Sequence, residues 1–508
     1  MQINVLDYLD NAEHKLSEKI AYSDGQVEIS FKETYNNARS IGTFLCERGY
    51  YKEPVAVFMD RDPRAIVAFY GTLYAGNYYV PIDKEMPGAR IELILKNLNP
   101  RVIICDETTI DAIEDFNYSG KVYTYNEMLD TDIDNDALIN IRQSLIDTDP
   151  VYVVFTSGST GVPKGVVANH RSVIDYIETL SEVLEVDEDT IFGNQTPLYF
   201  DACLKELYPT LKFGATTYLI PRKHFMFPIK LVEFLNEYNI NTICWVSSAL
   251  VMISAFGVLE SSVPKYLHTI AFGSEVFPIK QFNMWQKALP DAQFINLYGP
   301  TEATGMSCYY KVDRQFEDDE MIPIGKPFKN TDIILLDEDD KEVKGGDVGE
   351  ICIRGTCLTM GYYNDLDRTN EAFVQNPLNT MYPELIYRTG DLGRYNERGE
   401  LVFISRKDHQ IKHMGHRIEL GEIEFHVNAV KGVKSACCIY QEETERIELF
   451  YVGDIEVADL ANILKEKLPR YMVPNHIRKL DEMPLTANKK IDRVFIKENL
   501  SRKRRRRK

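Results

Sequence analysis

The sequence contains no run of about 18 apolar residues, the length that crosses a bilayer, so no membrane-spanning helix is expected. Its start, MQINVLDYLDNAEHK, lacks the basic-then-apolar pattern of a secretory signal, and a cytoplasmic protein is expected. No CxxC pair occurs among its nine cysteines. Cys244, Cys352, Cys437 and Cys438 stand in apolar surroundings, which fits reduced, buried thiols and not a disulfide framework. Positive charge is scarce as well: 58 Lys and Arg against 77 Asp and Glu leave a net charge of −19. That balance argues against a duplex-wide nucleic-acid surface and against nucleic-acid partners. The one basic concentration, SRKRRRRK at 501–508, reads as a solvated tail, with contact to acidic partners or phosphate as the alternative. Internal repeats and other long low-complexity segments are missing too.

What is present is a chain of 508 residues with 44% hydrophobic and 27% charged side chains, the composition of a globular protein of two or more domains. Residues 1–330 alternate strand-like apolar runs with amphipathic stretches, which implies an α/β sheet core. From about 330 to 405 short strands such as TDIILLD, EICIRG and ELVFIS are separated by KGGD and NERG, the texture of a small β-rich subdomain. Residues 409–508 read as a short α+β module, with IEFHVNAV and VADLANILKEKL helical and SACCIY and IELFYVG as strands. A linker is expected near Ser405–Asp408.

FTSGSTGVPKG at 155–165 has the composition of a loop wrapped around phosphate. The run VYVVF at 151–155 reads as a buried strand before it, and Val173, Ile174, Ile177 and Leu180 recur at helical spacing after it. Strand, glycine loop, helix is an order that presents backbone N–H groups to an anion. The loop is not a Walker A site. Counting from Gly158, Pro163 stands where the second glycine belongs, and Gly165 replaces the Ser or Thr after Lys164. The dinucleotide fingerprint GxGxxG is absent.

Further blocks follow in order: LYAGNYYVPID (73–83) upstream, then NLYGPTEAT (296–304), GEICIRG (349–355), YRTGDL (387–392), SRKDHQIKHMGHRIELGEIE (405–424), LPRYMVP (468–474) and NKKIDR (488–493). Together with the glycine loop they span roughly residues 70 to 493. The chain resembles an amino-acid adenylation domain of the nonribosomal peptide synthetase type, within the adenylate-forming enzymes, a group that includes D-alanine–carrier protein ligases. The resemblance implies an N-terminal adenylation core over 1–407, with α/β subdomains and a small β-rich subdomain. It also implies a small mobile α+β domain over 408–500, followed by the basic tail 501–508. The implied activity is ATP-dependent formation of an aminoacyl-AMP with release of pyrophosphate, then transfer to the phosphopantetheine thiol of a carrier protein. ATP and Mg²⁺ are the implied cofactors.

The resemblance also supplies placement for side chains whose chemistry suits their tasks. Thr156, Ser157, Gly158, Ser159 and Thr160 would hold the β- and γ-phosphates, with Lys164 adding charge. In the NLYGPTE stretch Asn296 offers an amide to the adenine edge, the Tyr298 ring packs on its face, and Leu297, Gly299 and Pro300 complete the nucleotide strip. Thr301 reaches the α-phosphate. Glu302 is the expected Mg²⁺ ligand, since hard cations favour carboxylate oxygen. Asp391 would accept the ribose hydroxyls, supported by Arg406 and Phe403. Lys490 is the expected catalytic residue, neutralising charge as the carboxylate meets the α-phosphorus. Lys489 stands where the family usually has glycine. Asp408 matches the family's hinge, and Gly415 would let a pantetheine arm pass close to backbone. His409, His413 and His416 sit inside a motif explained otherwise and do not read as a zinc set.

PLYFDACLKELYP at 197–209 places Asp201 where amino-acid-activating members hold the substrate ammonium. A buried carboxylate with no cation would be costly. Gapless alignment adds Ala202, Lys205, Trp245, Ile270, Phe272, Leu297, Gly305 and Met306 as substrate-pocket positions. Lys205 is unusual in that apolar wall. It fits an acidic substrate side chain if it points inward, or an internal pair or an outward-snorkelling side chain otherwise. Phe272-Gly273-Ser274-Glu275 lacks the cysteine common in D-alanine ligases. Only fifteen residues follow Arg493, so the carrier protein is expected in trans, or the chain is an excised segment. Two other classes compete: an acyl-CoA or aryl-CoA synthetase, and an inactive nucleotide-binding homologue.

Overall fold

A computed structural model describes residues 2–158, 162–317, 320–407, 410–485 and 491–501. The described chain forms two compact units. The first draws on residues 1–84, 98–155 and 165–407, the second on 85–97, 156–164 and 408–508. The segments 85–97 and 156–164, which the sequence analysis assigns to the N-terminal core, thus group with the C-terminal residues. All nine cysteines are free, and all but Cys46 are buried. Among the described residues no helix is long and apolar enough to cross a membrane.

The first unit contains a six-stranded sheet and a nine-stranded sheet. The six-stranded order is Lys121–Thr124, Val102–Cys105, Pro54–Phe58, Tyr78–Ile82, Pro150–Thr156 and Lys164–Asn169. Its first four strands are parallel neighbours. In the nine-stranded sheet Thr242–Val246, Thr269–Gly273 and Gln293–Tyr298 run parallel and in register, Cys244 beside Ala271 and Ala271 beside Ile295. Helices cover both faces, so these strands are apolar at nearly every position.

Alternation divides the strand side chains between two cores. Cys244, Ala271, Ile295 and Leu297 pack with Tyr176, Leu204 and Leu207. Ile243, Trp245, Ile270, Phe272 and Phe294 pack with Leu231, Leu250 and Trp285. A five-stranded antiparallel sheet made of Thr331–Leu336, Gly349–Gly355, Phe373–Gln375, Leu385–Tyr395 and Leu401–Arg406 completes this unit.

The glycine loop differs from the expected strand–loop–helix order. The chain leaves it through the strand Lys164–Asn169, and only then enters the helix His170–Leu184. KGVVAN carries two β-branched valines that favour extended backbone. The helix begins where Asn169 caps it by accepting the Ser172 N–H, and it ends at Glu185 in the left-handed conformation. Along the chain the loop therefore lies between two strands, and a strand, not a helix, follows it.

In the second unit Gln410–His413 pairs with His416–Glu419. The two turn residues Met414 and Gly415 both have positive φ, 51° and 78°, as a two-residue hairpin demands. A three-stranded sheet of Val433–Gln441, Arg446–Gly453 and His476–Lys479 packs with helices Leu420–Asn428 and Val457–Lys467 over Ile418, Ile423, Leu449, Leu460 and Leu464.

The same unit buries an ion pair. Arg90 Nη1 lies 2.6 Å from Glu422 Oε1, with both side chains almost fully enclosed. Removing one partner of such a pair strands a charge, at a cost of about 3–5 kcal/mol. Arg90→Met should therefore lower the thermal transition of this unit by several degrees, and the double variant Arg90→Met/Glu422→Met should recover at least half of the loss. Calorimetry checks both, and an unchanged single variant would contradict the buried pairing.

Candidate active site

The strand Gln293–Tyr298 delivers Tyr298 at its end, and antiparallel register sets Asp391 opposite Arg406. These three side chains meet. The Tyr298 hydroxyl donates to Asp391 Oδ2 at 2.6 Å, and the Arg406 guanidinium binds Oδ1. Asp391 is only 2% exposed, and its own N–H donates to Thr389 Oγ1 at 2.9 Å. Burial, and then the Asp391 charge, push the Tyr298 phenol far above its ordinary range, so it stays a donor. Phe403 packs against the small core that contains Tyr298. Asn296 commits its side-chain NH₂ to the Pro323 carbonyl at 2.8 Å. Gly299 is required by space, since a Cβ there would lie 2.4 Å from the Gly305 carbonyl oxygen. Pro300 leads into the short turn Thr301–Ala303.

The turn Asp201–Cys203 runs directly into the helix Leu204–Phe213, so Asp201 and Lys205 stand one helical turn apart. Asp201 is buried. Burial pushes its carboxyl up to about 6, against a hydrogen bond from Thr301, the charge of Lys205 and the Ala202 N–H, while Glu302 adds to the rise. Glu302 is fully enclosed and accepts the Tyr362 hydroxyl at 2.7 Å. Glu206, also fully enclosed, accepts the Asn194 amide at 3.2 Å, and its Oε1 has no hydrogen-bond partner among the described residues. Burial pushes this carboxyl up to about 8, opposed first by Lys205. Arg61 binds the carbonyls of Ile220 and Asn194 at 2.8 and 3.0 Å.

Leu297 and Met306 share a core with Tyr176, Cys244 and Ala271. Gly305, at φ 90°, lets the chain pass the Tyr176 ring, which would be 3.3 Å from a Cβ. Trp245, Ile270 and Phe272 are not brought to this wall. They pack in the other core, and the Trp245 indole donates to the Gly193 carbonyl at 2.7 Å. In a strand one position reverses the face, and Cys244 and Ala271, their strand neighbours, share the core of Leu297 and Met306.

In the glycine loop, which belongs to the second unit, Thr156 Oγ1 is buried and has no hydrogen-bond partner among the described residues. Ser157 Oγ donates to the Arg417 carbonyl at 2.7 Å. The Gly158 amide donates to Glu422 Oε2 at 3.1 Å. Lys164 is buried. An orphan hydroxyl beside an amide that already holds an anionic oxygen suits phosphate. Ser159, Thr160, Gly161, the expected hinge Asp408 and the expected catalytic Lys490 lie outside the described residues.

Several participants were not anticipated. Arg90 and Glu422 are 332 positions apart, and no local pattern links them. Tyr362, Asn194, Glu206 and Tyr176 carry no motif of their own. Glu206 follows Lys205 directly, and a charged pair inside PLYFDACLKELYP was the one available signal.

The α/β sheets with their appended antiparallel sheet define the adenylate-forming fold. An o-succinylbenzoate-CoA synthetase from Bacillus subtilis matches it with a TM-score of 0.82 over 98% of both chains, at 18% identity, a likeness of fold alone. Residues 9–363 match the family model described as AMP-binding enzyme, and the chain belongs to that family. It is 32% identical over 476 residues to tyrocidine synthase 1 of Brevibacillus parabrevis, covering 92% of this chain and 42% of that protein. A four-domain nonribosomal peptide synthetase, solved bound to AMP and glycine, matches with TM-score 0.70 at 29% identity, covering 97% of this chain and 36% of that one. The chain thus spans less than half the length of the curated relatives it matches.

The raised Glu206 carboxyl has a consequence for stability. A carboxyl that titrates near 8 when folded and near 4.5 when unfolded keeps its proton in the fold while the unfolded chain releases it. Stability is then full at low pH and is lost as pH rises between those values. Glu206→Gln, which cannot ionise, should match the wild type near pH 5 and exceed it in thermal stability at pH 8. Parallel melting curves across that window check this, and a constant offset would contradict it.

Proposed function

We propose that the protein joins the carboxylate of an amino acid to AMP and then passes the aminoacyl group to the phosphopantetheine thiol of a carrier protein. The observation that carries this reading is Asp201, a buried carboxylate in the turn that leads into the helix Leu204–Phe213, in need of a cation such as a substrate ammonium. The synthetase names among the similar proteins support it. In the first step a carboxylate oxygen attacks the α-phosphorus of ATP, and the bond to pyrophosphate breaks. In the second the carrier sulfur attacks the acyl carbon, AMP leaves with the bonding pair, and the thiol proton passes to solvent.

Both steps bring like charges together, so the protein's task is positioning and neutralisation. Thr156, Ser157, Gly158, Ser159, Thr160 and Lys164 hold the outer phosphates. Asn296, Leu297, Tyr298, Gly299 and Pro300 frame the adenine. Asp391, fixed by Tyr298 and Arg406 and flanked by Phe403, accepts the ribose hydroxyls. Thr301, whose hydroxyl serves Asp201, stands between the ammonium site and the α-phosphate. Glu302 would hold Mg²⁺ through its carboxylate, and the ion would supply positive charge to the phosphates. Lys490 neutralises the charge that develops at the α-phosphorus, and rotation about Asp408 exchanges the two half-reactions. Ala202, Leu297, Gly305 and Met306, together with Cys244 and Ala271, line the side-chain pocket. The reaction belongs to the cytoplasm, where ATP and carrier proteins reside.

The rival reading, a CoA synthetase for acids without an α-amine, gains support from fold alone, and Asp201 has no task in it. Pyrophosphate exchange with a panel of amino acids and simple carboxylic acids separates the two, and exchange confined to acids lacking an amine would reject the proposal. Lys490→Ala should cut exchange by about 100-fold or more while leaving ATP affinity within a few-fold. Full exchange in that variant would remove Lys490 from the mechanism, and Lys489→Ala distinguishes the neighbour.

A further inference from the structure

We propose that Tyr362 is a positioning residue for the metal ligand: its hydroxyl holds the Glu302 carboxylate in the orientation that a divalent cation on ATP requires. This rests on the assignment of Mg²⁺ to Glu302 given above and deepens it.

Glu302 is fully enclosed, and Tyr362 is 6% exposed. They stand 60 positions apart in sequence, yet the Tyr362 hydroxyl donates to Glu302 Oε1 at 2.7 Å. A hard, anionic oxygen suits Mg²⁺, so the side chain present fits the ion. A carboxylate has about four acceptor sites, and one bond from a hydroxyl fixes its direction without cancelling its charge. Mg²⁺ demands near-ideal octahedral geometry and tolerates a turned carboxylate poorly. A glutamate side chain has several torsions to freeze, and the phenol freezes them before the ion binds.

Tyr362 is itself held on several sides. Its N–H donates to Thr369 Oγ1 at 2.9 Å, and its ring lies 6.1 Å from that of Phe373 at 71°. Its backbone forms an antiparallel bridge with Val166. The Val167 N–H donates to the Gly361 carbonyl at 3.0 Å, and the Tyr363 N–H donates to the Gly165 carbonyl at 2.7 Å. Thr359 donates its N–H to the Glu302 carbonyl at 3.0 Å. Residues 359–363 thus grip both the backbone of Glu302 and the strand on which the chain leaves the glycine loop. So anchored, the hydroxyl has little freedom to follow a displaced carboxylate. Loss of such support behind a metal ligand typically costs about 10–100-fold in metal affinity.

The test uses full-length protein stripped of metal with EDTA. Calorimetry gives the affinity for ATP without metal and with Mg²⁺. The paramagnetic resonance of free Mn²⁺, an ion with the same preference for oxygen, gives metal affinity in the presence of ATP, with the titration of ATP alone subtracted. Tyr362→Phe removes the hydroxyl and keeps the ring. It should weaken Mn²⁺ binding to the protein–ATP complex by about 10–100-fold and leave metal-free ATP affinity within a few-fold. Pyrophosphate exchange should return toward the wild-type rate as Mg²⁺ is raised. Glu302→Gln marks the full loss, and adding Tyr362→Phe to it should cost nothing further, because the tyrosine acts through that carboxylate. If Tyr362→Phe does not fold, Phe373→Leu, which loosens the packing of the ring, replaces it and should weaken Mn²⁺ binding several-fold. Wild-type Mn²⁺ affinity in the variant that folds overturns the inference and leaves Mg²⁺ at Glu302. Equal weakening of ATP binding with and without metal makes Tyr362 a residue of the fold alone and also overturns it. Unchanged Mn²⁺ binding in Glu302→Gln overturns the assignment of the ion and this inference together, while the exchange panel still decides the proposed reaction.

Discussion

A carboxylate taken out of water has to be met by a proton, a cation or several hydrogen bonds, and much of this protein is organised by that demand. Asp391 is met by a phenol and a guanidinium. Glu422 is met by Arg90 and by a loop amide. Glu302 is met by Tyr362. Asp201 is enclosed as well, and burial pushes its carboxyl up to about 6. Each partner fixes the position of its carboxylate, and the lone pairs left over are what a ligand can use.

Parallel strands make such placement possible. Their ends deliver consecutive motif residues into one region while helices seal both faces. The GPTE turn leaves the strand Gln293–Tyr298 and sets Thr301 against Asp201. The appended antiparallel sheet adds a second source of side chains, since its register puts Asp391 across from Arg406. Short elements therefore suffice: the tight geometry at Gly299 comes from backbone packed against backbone, and Gly305 turns at a positive φ beside the Tyr176 ring, a conformation that favours glycine.

The glycine loop shows a different economy. The chain does not pass from it straight into a helix, because Gly165, Val166 and Val167 hold the chain extended until Asn169 caps the next helix. Its amide at Gly158 holds a carboxylate oxygen from Glu422. Anion affinity here comes from individual N–H and O–H groups, and a side-chain carboxylate and a phosphate oxygen compete for the same donors.

Residue type and order alone determined the class of chemistry. A glycine loop without the Walker hydroxyl, a YGPTE turn and a YRTGDL strand are local patterns, each readable because the backbone requires those residue types at that spacing. The α/β architecture was equally legible from alternating apolar runs. What remained for the tertiary structure is everything that depends on a partner distant in sequence or on the parity of a strand. Trp245, Ile270 and Phe272 were assigned to the pocket, yet they face the opposite core, because a shift of one residue in register exchanges the faces and leaves the apolar pattern unchanged. The meeting of Arg90 with Glu422, and of Glu206 with Asn194, likewise emerged only in the folded chain.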